Sequence, residues 1–255
     1  MFKIIVATKN KGKLKEIKNI LSDIPVRIIH ITQDNGTIEE DGNTYIENAL
    51  KKAKYYAEKY RMPALADDSG LEIDALKGAP GIHSARFMGE GTSFDSKIQE
   101  ILRLMENTSE RNARFRCVAV LYIPSEGKYY TTEGVVEGEI LREPHKKEGS
   151  GFGYDPIFKP AGYNESFSTL GEEIKNQISH RSIALRKMKD IILNEVLGGS
   201  MTEIKINGVK LAANSYVYTV FEKVILALLD TLNNIPEIQT IEIKIDKTRH
   251  KEKIV

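Results

Sequence analysis

The chain has a single cysteine, Cys117, in 255 residues. One cysteine cannot form an intramolecular disulfide, which fits a reducing compartment. It lies in the apolar run Phe115-Arg116-Cys117-Val118-Ala119-Val120-Leu121, so its expected place is a core. Net charge is almost absent as well: 37 Lys and Arg stand against 36 Asp and Glu. That argues against a bulk nucleic-acid binder, which needs clustered cations. No apolar run approaches the roughly 18 residues that mark a membrane span. Met1-Phe2-Lys3-Ile4 runs directly into a strand-like segment and lacks the layout of a signal peptide. Internal repeats are missing, and so is the G-x-x-x-x-G-K-[ST] spacing of a P-loop. The expectation is a cytoplasmic protein with neither a nucleic-acid nor a membrane partner. At 41% apolar residues it can bury at least one sizeable core.

Four segments carry chemistry. In Ala66-Asp67-Asp68-Ser69-Gly70-Leu71, a short apolar strand over 64–66 delivers two adjacent carboxylates into a turn. A strand's end with two carboxylates can hold a divalent metal and an activated water, although Asp-Asp-Ser-Gly is also ordinary turn composition. At the amino terminus, Phe2–Ala7 reads as a buried strand, followed by Thr8-Lys9-Asn10-Lys11-Gly12-Lys13 and a helix carrying Leu14, Ile17, Ile20 and Leu21 on one face. Strand, polar glycine-containing loop and helix form the arrangement in which backbone N–H groups meet a phosphate. Lys9, Lys11 and Lys13 add countercharge. In Gly151-Phe152-Gly153-Tyr154-Asp155-Pro156, glycines permit close backbone approach, and the two aromatics offer faces on which a base can stack. In Lys175-Asn176-Gln177-Ile178-Ser179-His180-Arg181-Ser182, Ser179 is positioned to cap a helix. His180 and Arg181 then fall in its first turn. A cation there opposes the helix dipole, and an electron-rich group on a ligand relieves the mismatch.

Between these segments, Val26–Thr32 reads as a strand, 33–43 as an acidic loop, and Thr44 as the cap of a helix to about Tyr60. Residues 72–92 read as irregular. Ile98, Ile101, Leu102 and Met105 mark a helix, and 114–123 with 128–140 a hairpin. The pattern is that of an α/β protein with a mixed sheet.

With these residues in view, the chain resembles the inosine/xanthosine triphosphate pyrophosphatases, which remove deaminated purines from the nucleotide pool. The resemblance rests on Ala7–Lys13, Tyr45-Ile46-Glu47-Asn48-Ala49, Ala66–Leu71, Gly78-Ala79-Pro80-Gly81-Ile82-His83-Ser84-Ala85-Arg86-Phe87, Phe152–Asp155 and Ser179-His180-Arg181, in the family's order. It covers roughly residues 1–197. Lys9 stands where many relatives have Gly, and Tyr154 where some have Trp.

The resemblance implies two lobes around a long central sheet, a site in the cleft between them, and a homodimer. It implies Mg²⁺-dependent hydrolysis of XTP, ITP and dITP to the monophosphate and pyrophosphate. A purine nucleoside triphosphate is then the expected partner. Asp68 becomes the expected general base, and Glu39 and Asp68 the expected metal ligands. Thr8, Asn10, Lys13 and Lys52 are the expected phosphate contacts, within a substrate set that also takes in Lys9, Lys11, Gly12 and Ser69. Phe152, Gly153, Tyr154, Asp155, Lys175, His180 and Arg181 complete that set. A 6-oxo purine accepts where adenine donates, so donors from His180 and Arg181 would reject adenine. On this reading, loss of Arg181 touches recognition more than folding. Two other readings share some of these features. A non-catalytic nucleotide sensor needs no paired acid and metal. A septum-inhibitor-like (Maf-like) pyrophosphatase has a different base preference, and Ser179-His180-Arg181 argues against it.

The remainder reads separately: 198–200 as a linker, and 201–255 as a small ββαβ-like extension. Its signals are a hairpin at Asn207-Gly208, helical periodicity over 216–232 and an alternating run over 238–245. The motif set is complete before it begins. A chain ending at Leu197 is therefore expected to keep its specific activity, measured together with its molar mass. A folded, dimeric but inactive truncation would show that the extension contributes to the site.

Overall fold

The computed structural model describes residues 2–31, 38–146 and 152–197, with 205–206, 209–210, 220–221, 223–225 and 227–228 beyond them. The chain divides into two compact units, residues 1–199 and 200–255.

The first unit is built on a six-stranded mixed sheet in the order β2-β1-β3-β4-β5-β6. Its strands are β1 (Phe2–Val6), β2 (Val26–His30), β3 (Ala64–Ile73), β4 (Asn112–Ile123), β5 (Lys128–Ile140) and β6 (Phe158–Pro160). β1 runs parallel to β2 and β3, and the remaining pairings are antiparallel. The helices are α1 (Lys11–Ile20), α2 (Tyr45–Tyr60), α3 (Phe94–Leu104), α4 (Phe167–Ile178) and α5 (His180–Ile191). No helix among the described residues is long and apolar enough to cross a membrane.

Local chemistry explains where the helices start. Thr44 accepts from Glu47 N at 3.2 Å, and the Glu47 carboxylate accepts from Asn43 N at 2.7 Å, closing the first turn of α2. Ala49, Ala53 and Ala57 form the buried stripe of α2, and their small size lets it lie close on one face of β3 and β4. The opposite face receives α1 and α5, through Ile17, Leu185 and Met188 against Ile4, Leu65 and Leu121. A third cluster, centred on Leu71, Ile98, Ile101, Phe115, Phe158 and Phe167, forms the second lobe. Burying each such side chain contributes about 1.5–3 kcal/mol.

One local expectation is overturned. The Asp pair is not at a strand's end. β3 continues to Ile73, with Asp67 opposite Ala119, Asp68 opposite Val118 and Ser69 opposite Cys117. β4 is 12 residues long and offers a full ladder, and those bonds override the turn preference of Asp-Asp-Ser-Gly. Alternation along the strand then sends the two carboxylates to opposite faces of the sheet. Further on, Asp155–Ile157 is a 3₁₀ turn, and β6 starts at Phe158.

In the second unit, β7 (Lys205–Ile206) pairs antiparallel with β8 (Val209–Lys210), and the described residues between 220 and 228 are helical. The expected strand over 238–245 lies outside the described residues, as do Gly151 and most of the acidic loop before Ile38.

α5 reaches the sheet through a gap at Gly134. A Cβ there would lie 2.1 Å from the His180 carbonyl oxygen and 2.6 Å from the Ala184 nitrogen, both backbone atoms. Gly134→Ala is expected to lift α5 and destabilise the fold by about 1–3 kcal/mol, read as a lowered urea midpoint. An unchanged midpoint would mean that α5 is not seated as described.

Candidate active site

A cavity of about 440 Å³ runs between the two lobes. Its walls come from the β1–α1 loop (Thr8, Lys9, Asn10, Lys13), α2 (Lys52) and β3 (Asp68, Ser69), then from Phe152–Asp155, Lys175, and the start of α5 (His180, Arg181). Residues more than a hundred positions apart are thus brought to one cleft. Three expected residues are not in its lining. Lys11 is exposed, Gly12 lines a smaller neighbouring cavity of about 100 Å³, and Glu39 is exposed while its neighbour Glu40 lines the main cleft.

The β1–α1 loop is organised around its own cap. Asn10 Oδ1 accepts from Gly12 N at 2.8 Å and Lys13 N at 3.2 Å, and Thr8 Oγ1 accepts from Asn10 N at 3.2 Å. Three of the loop's backbone donors, those of Asn10, Gly12 and Lys13, are therefore already engaged. The side chains of Lys9 and Lys13 are the cations this loop contributes to the cleft lining.

The Asp pair separates into two environments. Asp67 is buried: its Oδ2 accepts from Lys13 Nζ at 2.9 Å and Arg181 Nε at 3.1 Å, with Cys117 Sγ at 3.7 Å. Burial alone would raise its carboxyl, but Lys13, Arg181 and Lys52 outweigh burial and hold it far below the usual carboxylate range. Asp68 points into the cleft from the α2 side. One oxygen accepts from Asn48 Nδ2 at 3.1 Å and the other from its neighbour Ser69 N at 2.9 Å. Burial raises its carboxyl above the ordinary value, against the pull of Lys52 and Lys13. Lys52 donates to Glu40 at 2.7 Å and to the Asp67 carbonyl at 2.8 Å.

At the other end, Phe152 keeps a half-open ring, 37% exposed, with Lys175 Nζ 5.5 Å from its centroid. Lys175 donates to Asp155 at 2.5 Å, and the same carboxylate oxygen accepts from Phe152 N at 2.7 Å, which fixes the turn. Tyr154 is not an open platform. It is buried, with its hydroxyl donating to Ser84 O at 2.9 Å. His180 stacks on Phe115 with centroids 4.7 Å apart, and its buried Nδ1 has no hydrogen-bond partner. Burial first, then Arg181 and Lys175, push its pKa well below the ordinary histidine value, so the ring is neutral at pH 7.

Arg181 is more committed than the sequence implies. It is 1% exposed, and its guanidinium donates to Asp67, to Glu16 at 2.6 Å and to Ser69 Oγ at 3.0 Å. Glu16, which also lies 3.7 Å from Lys175, was not expected at the site. Its signal was present: it follows Lys13 by one helical turn on the same face of α1. Asn48 and Glu40 were missed too, although both belong to segments already singled out. Among the described residues no group of three or more His, Cys, Asp or Glu is arranged to hold a metal ion.

A two-lobed α/β fold with a cation-lined, aromatic-ended cleft defines a protein built to hold a small polyanion carrying a flat ring. The family model of the Ham1 family matches residues 4–191. A protein from Desulforamulus reducens described as "dITP/XTP pyrophosphatase" is 48% identical over 194 residues, spanning 74% of this chain and 95% of its own length. One of the same description from Aquifex aeolicus is 43% identical over 201 residues, spanning 75% and 97%. The solved structure of a HAM1 protein from Coxiella burnetii superposes with a TM-score of 0.70 at 40% identity, covering 75% of this chain and 98% of that one. The chain belongs to the Ham1 family.

The commitments of Arg181 revise the expectation that its loss touches recognition more than folding. Arg181→Ala leaves two carboxylates, Asp67 and Glu16, without their buried partner. A stability loss of about 3–5 kcal/mol is expected, measured by urea unfolding of the variant. A loss below about 1 kcal/mol would place Arg181 outside the structural network.

Proposed function

We propose that this protein hydrolyses deaminated purine nucleoside triphosphates (XTP, ITP and dITP) to the monophosphate and pyrophosphate, as a cytoplasmic homodimer. The observation that carries the reading is the polarity of the cleft. Lys52 and Lys13 act on Asp68 in one part of the cleft, while Phe152 and Lys175 meet over the Asp155 turn in another. A nucleotide has the same two parts.

Water attacks the α-phosphorus, and its proton passes to the Asp68 carboxylate. The bond from the α-phosphorus to the bridging oxygen breaks, and pyrophosphate leaves with the electron pair. Lys13 and Lys52 would take up that charge, with Thr8, Lys9, Asn10 and Ser69 lining the same cleft. The donor set fits Mg²⁺, which takes one or two protein carboxylates and completes its shell with water and substrate oxygens. Asp68, with one from the Glu39-Glu40 pair, would hold it, and the ion would neutralise the leaving group. Phe152 offers the stacking face for the base. The neutral His180 ring has one N–H to give to a 6-oxo group, which adenine's amino group cannot accept. Arg181, with three of its donors engaged, holds Ser69 and the start of α5 in place and keeps its remaining donors for the substrate.

A panel of ITP, XTP, dITP, ATP, GTP and UTP, read by Mg²⁺-dependent pyrophosphate release, tests the reading. Preference for ATP or UTP would overturn it. Asp68 must be ionised to act as base, so kcat/KM rises with pH through its pKa. Because burial holds that pKa above the ordinary 3.8, the acid limb of the profile is expected above pH 3.8. Asp68→Asn is expected to lower kcat by about 10²–10⁴-fold while nucleotide still binds. Near wild-type turnover at saturating Mg²⁺ would remove Asp68 from the role of base.

A further inference from the structure

The aromatic end of the cleft has a support that the reaction chemistry does not use. Phe94, the first residue of α3, lines the cavity beside Phe152. Its ring meets Phe152 edge-on, with centroids 6.0 Å apart at 67°, and meets Tyr154 at 5.3 Å and 87°. Both distances lie in the range where edge-to-face pairs attract. Gly153, between those two aromatics, has a left-handed φ of 68°, and a Cβ there would lie 3.6 Å from the Phe94 ring. Phe94 therefore packs on the whole Phe152–Tyr154 turn.

Phe94 is itself held from behind. Lys97, one turn further along α3, is buried, with its ammonium 4.8 Å from the Phe94 centroid. The same ammonium donates to Ala85 O at 2.6 Å, while Tyr154 donates to the adjacent Ser84 O. The 84–85 backbone, the Tyr154 hydroxyl, the Phe94 ring and the Lys97 cation thus close a loop of contacts around Phe94. A buried lysine whose hydrogen-bond acceptor is a neutral carbonyl is costly to keep. Here burial lowers its pKa, and the aromatic face offsets part of the cost.

We propose that Phe94, wedged by Lys97, is a positioning residue that sets the angle of the Phe152 ring and so the fit of the purine base. The inference rests on Phe152 being the base platform, as proposed above. It predicts that Phe94 acts on base affinity and leaves both the phosphate end and the chemical step alone.

The test compares Phe94→Ala, Phe152→Ala and the double variant, measuring KM and kcat for ITP and competitive inhibition by inorganic tripolyphosphate. Phe94→Ala is expected to raise KM about three- to tenfold, with kcat and tripolyphosphate inhibition within about twofold of the parent enzyme. The double variant is expected to be no worse than Phe152→Ala alone, because Phe94 acts through that ring. Phe94→Tyr, which keeps the ring, is expected to restore KM. If Phe94→Ala does not fold, Phe94→Leu takes its place, since it keeps apolar volume without a ring edge. An unchanged KM for Phe94→Ala beside a raised one for Phe152→Ala overturns this inference and leaves the platform standing. An unchanged KM for Phe152→Ala overturns the platform itself. Additive losses in the double variant, or equally weakened tripolyphosphate inhibition, overturn the positioning role.

Discussion

The buried carboxylate of Asp67 is the point on which the site is hung. It draws Lys13 from α1 and Arg181 from α5 to one oxygen in the middle of β3. Arg181 then passes the connection to Glu16, on the same helix as Lys13. Three elements far apart in sequence are fixed by charges that have no water to retreat to. Such a network is strong only when complete, because each group removed strands another. Its dependence on pH has a definite sign. The Asp67 carboxyl is depressed in the folded state. The stability it contributes is therefore present above the ordinary carboxylate range, near pH 4, and is lost as pH falls toward its folded value.

The adjacent carboxylate shows how a strand can split one dipeptide between two environments. Asp67 faces the helices that need tying down, and Asp68 faces the cleft. Opposite shifts follow from opposite surroundings: cations dominate around the first and burial around the second. The acid kept ionised ties the helices down, and the acid raised above its ordinary value is the one that lines the cleft.

Much of this was legible in the residues. The α2 helix with its Thr44 cap, the β4–β5 hairpin, and the Ser179 cap of α5 stand where periodicity and capping place them. What was not legible depends on long-range pairing. The turn composition of Asp-Asp-Ser-Gly gave no sign that β4 would carry the strand on to Ile73. Nor could a loop of three lysines reveal that the Gly12 and Lys13 amides close on Asn10. Glu16 and Phe94 sit on helix faces that look merely amphipathic until the partner elements arrive. Tyr154 and Phe152 look equivalent in sequence, yet one is locked to Ser84 and only the other keeps an open face.

The cations of the cleft already have anions of their own. Lys52 holds Glu40, Lys13 holds Asp67, and Lys175 holds Asp155. Taking up a polyphosphate here is then an exchange of partners and not a filling of a positive hole. Little uncompensated field extends from the cleft into solvent, so encounter gains little from electrostatic steering. A ligand with a single negative charge has too little to offer in exchange. A polyanion entering the cleft would meet cations that already hold carboxylates, and it would share Lys13 with the buried Asp67 instead of releasing it.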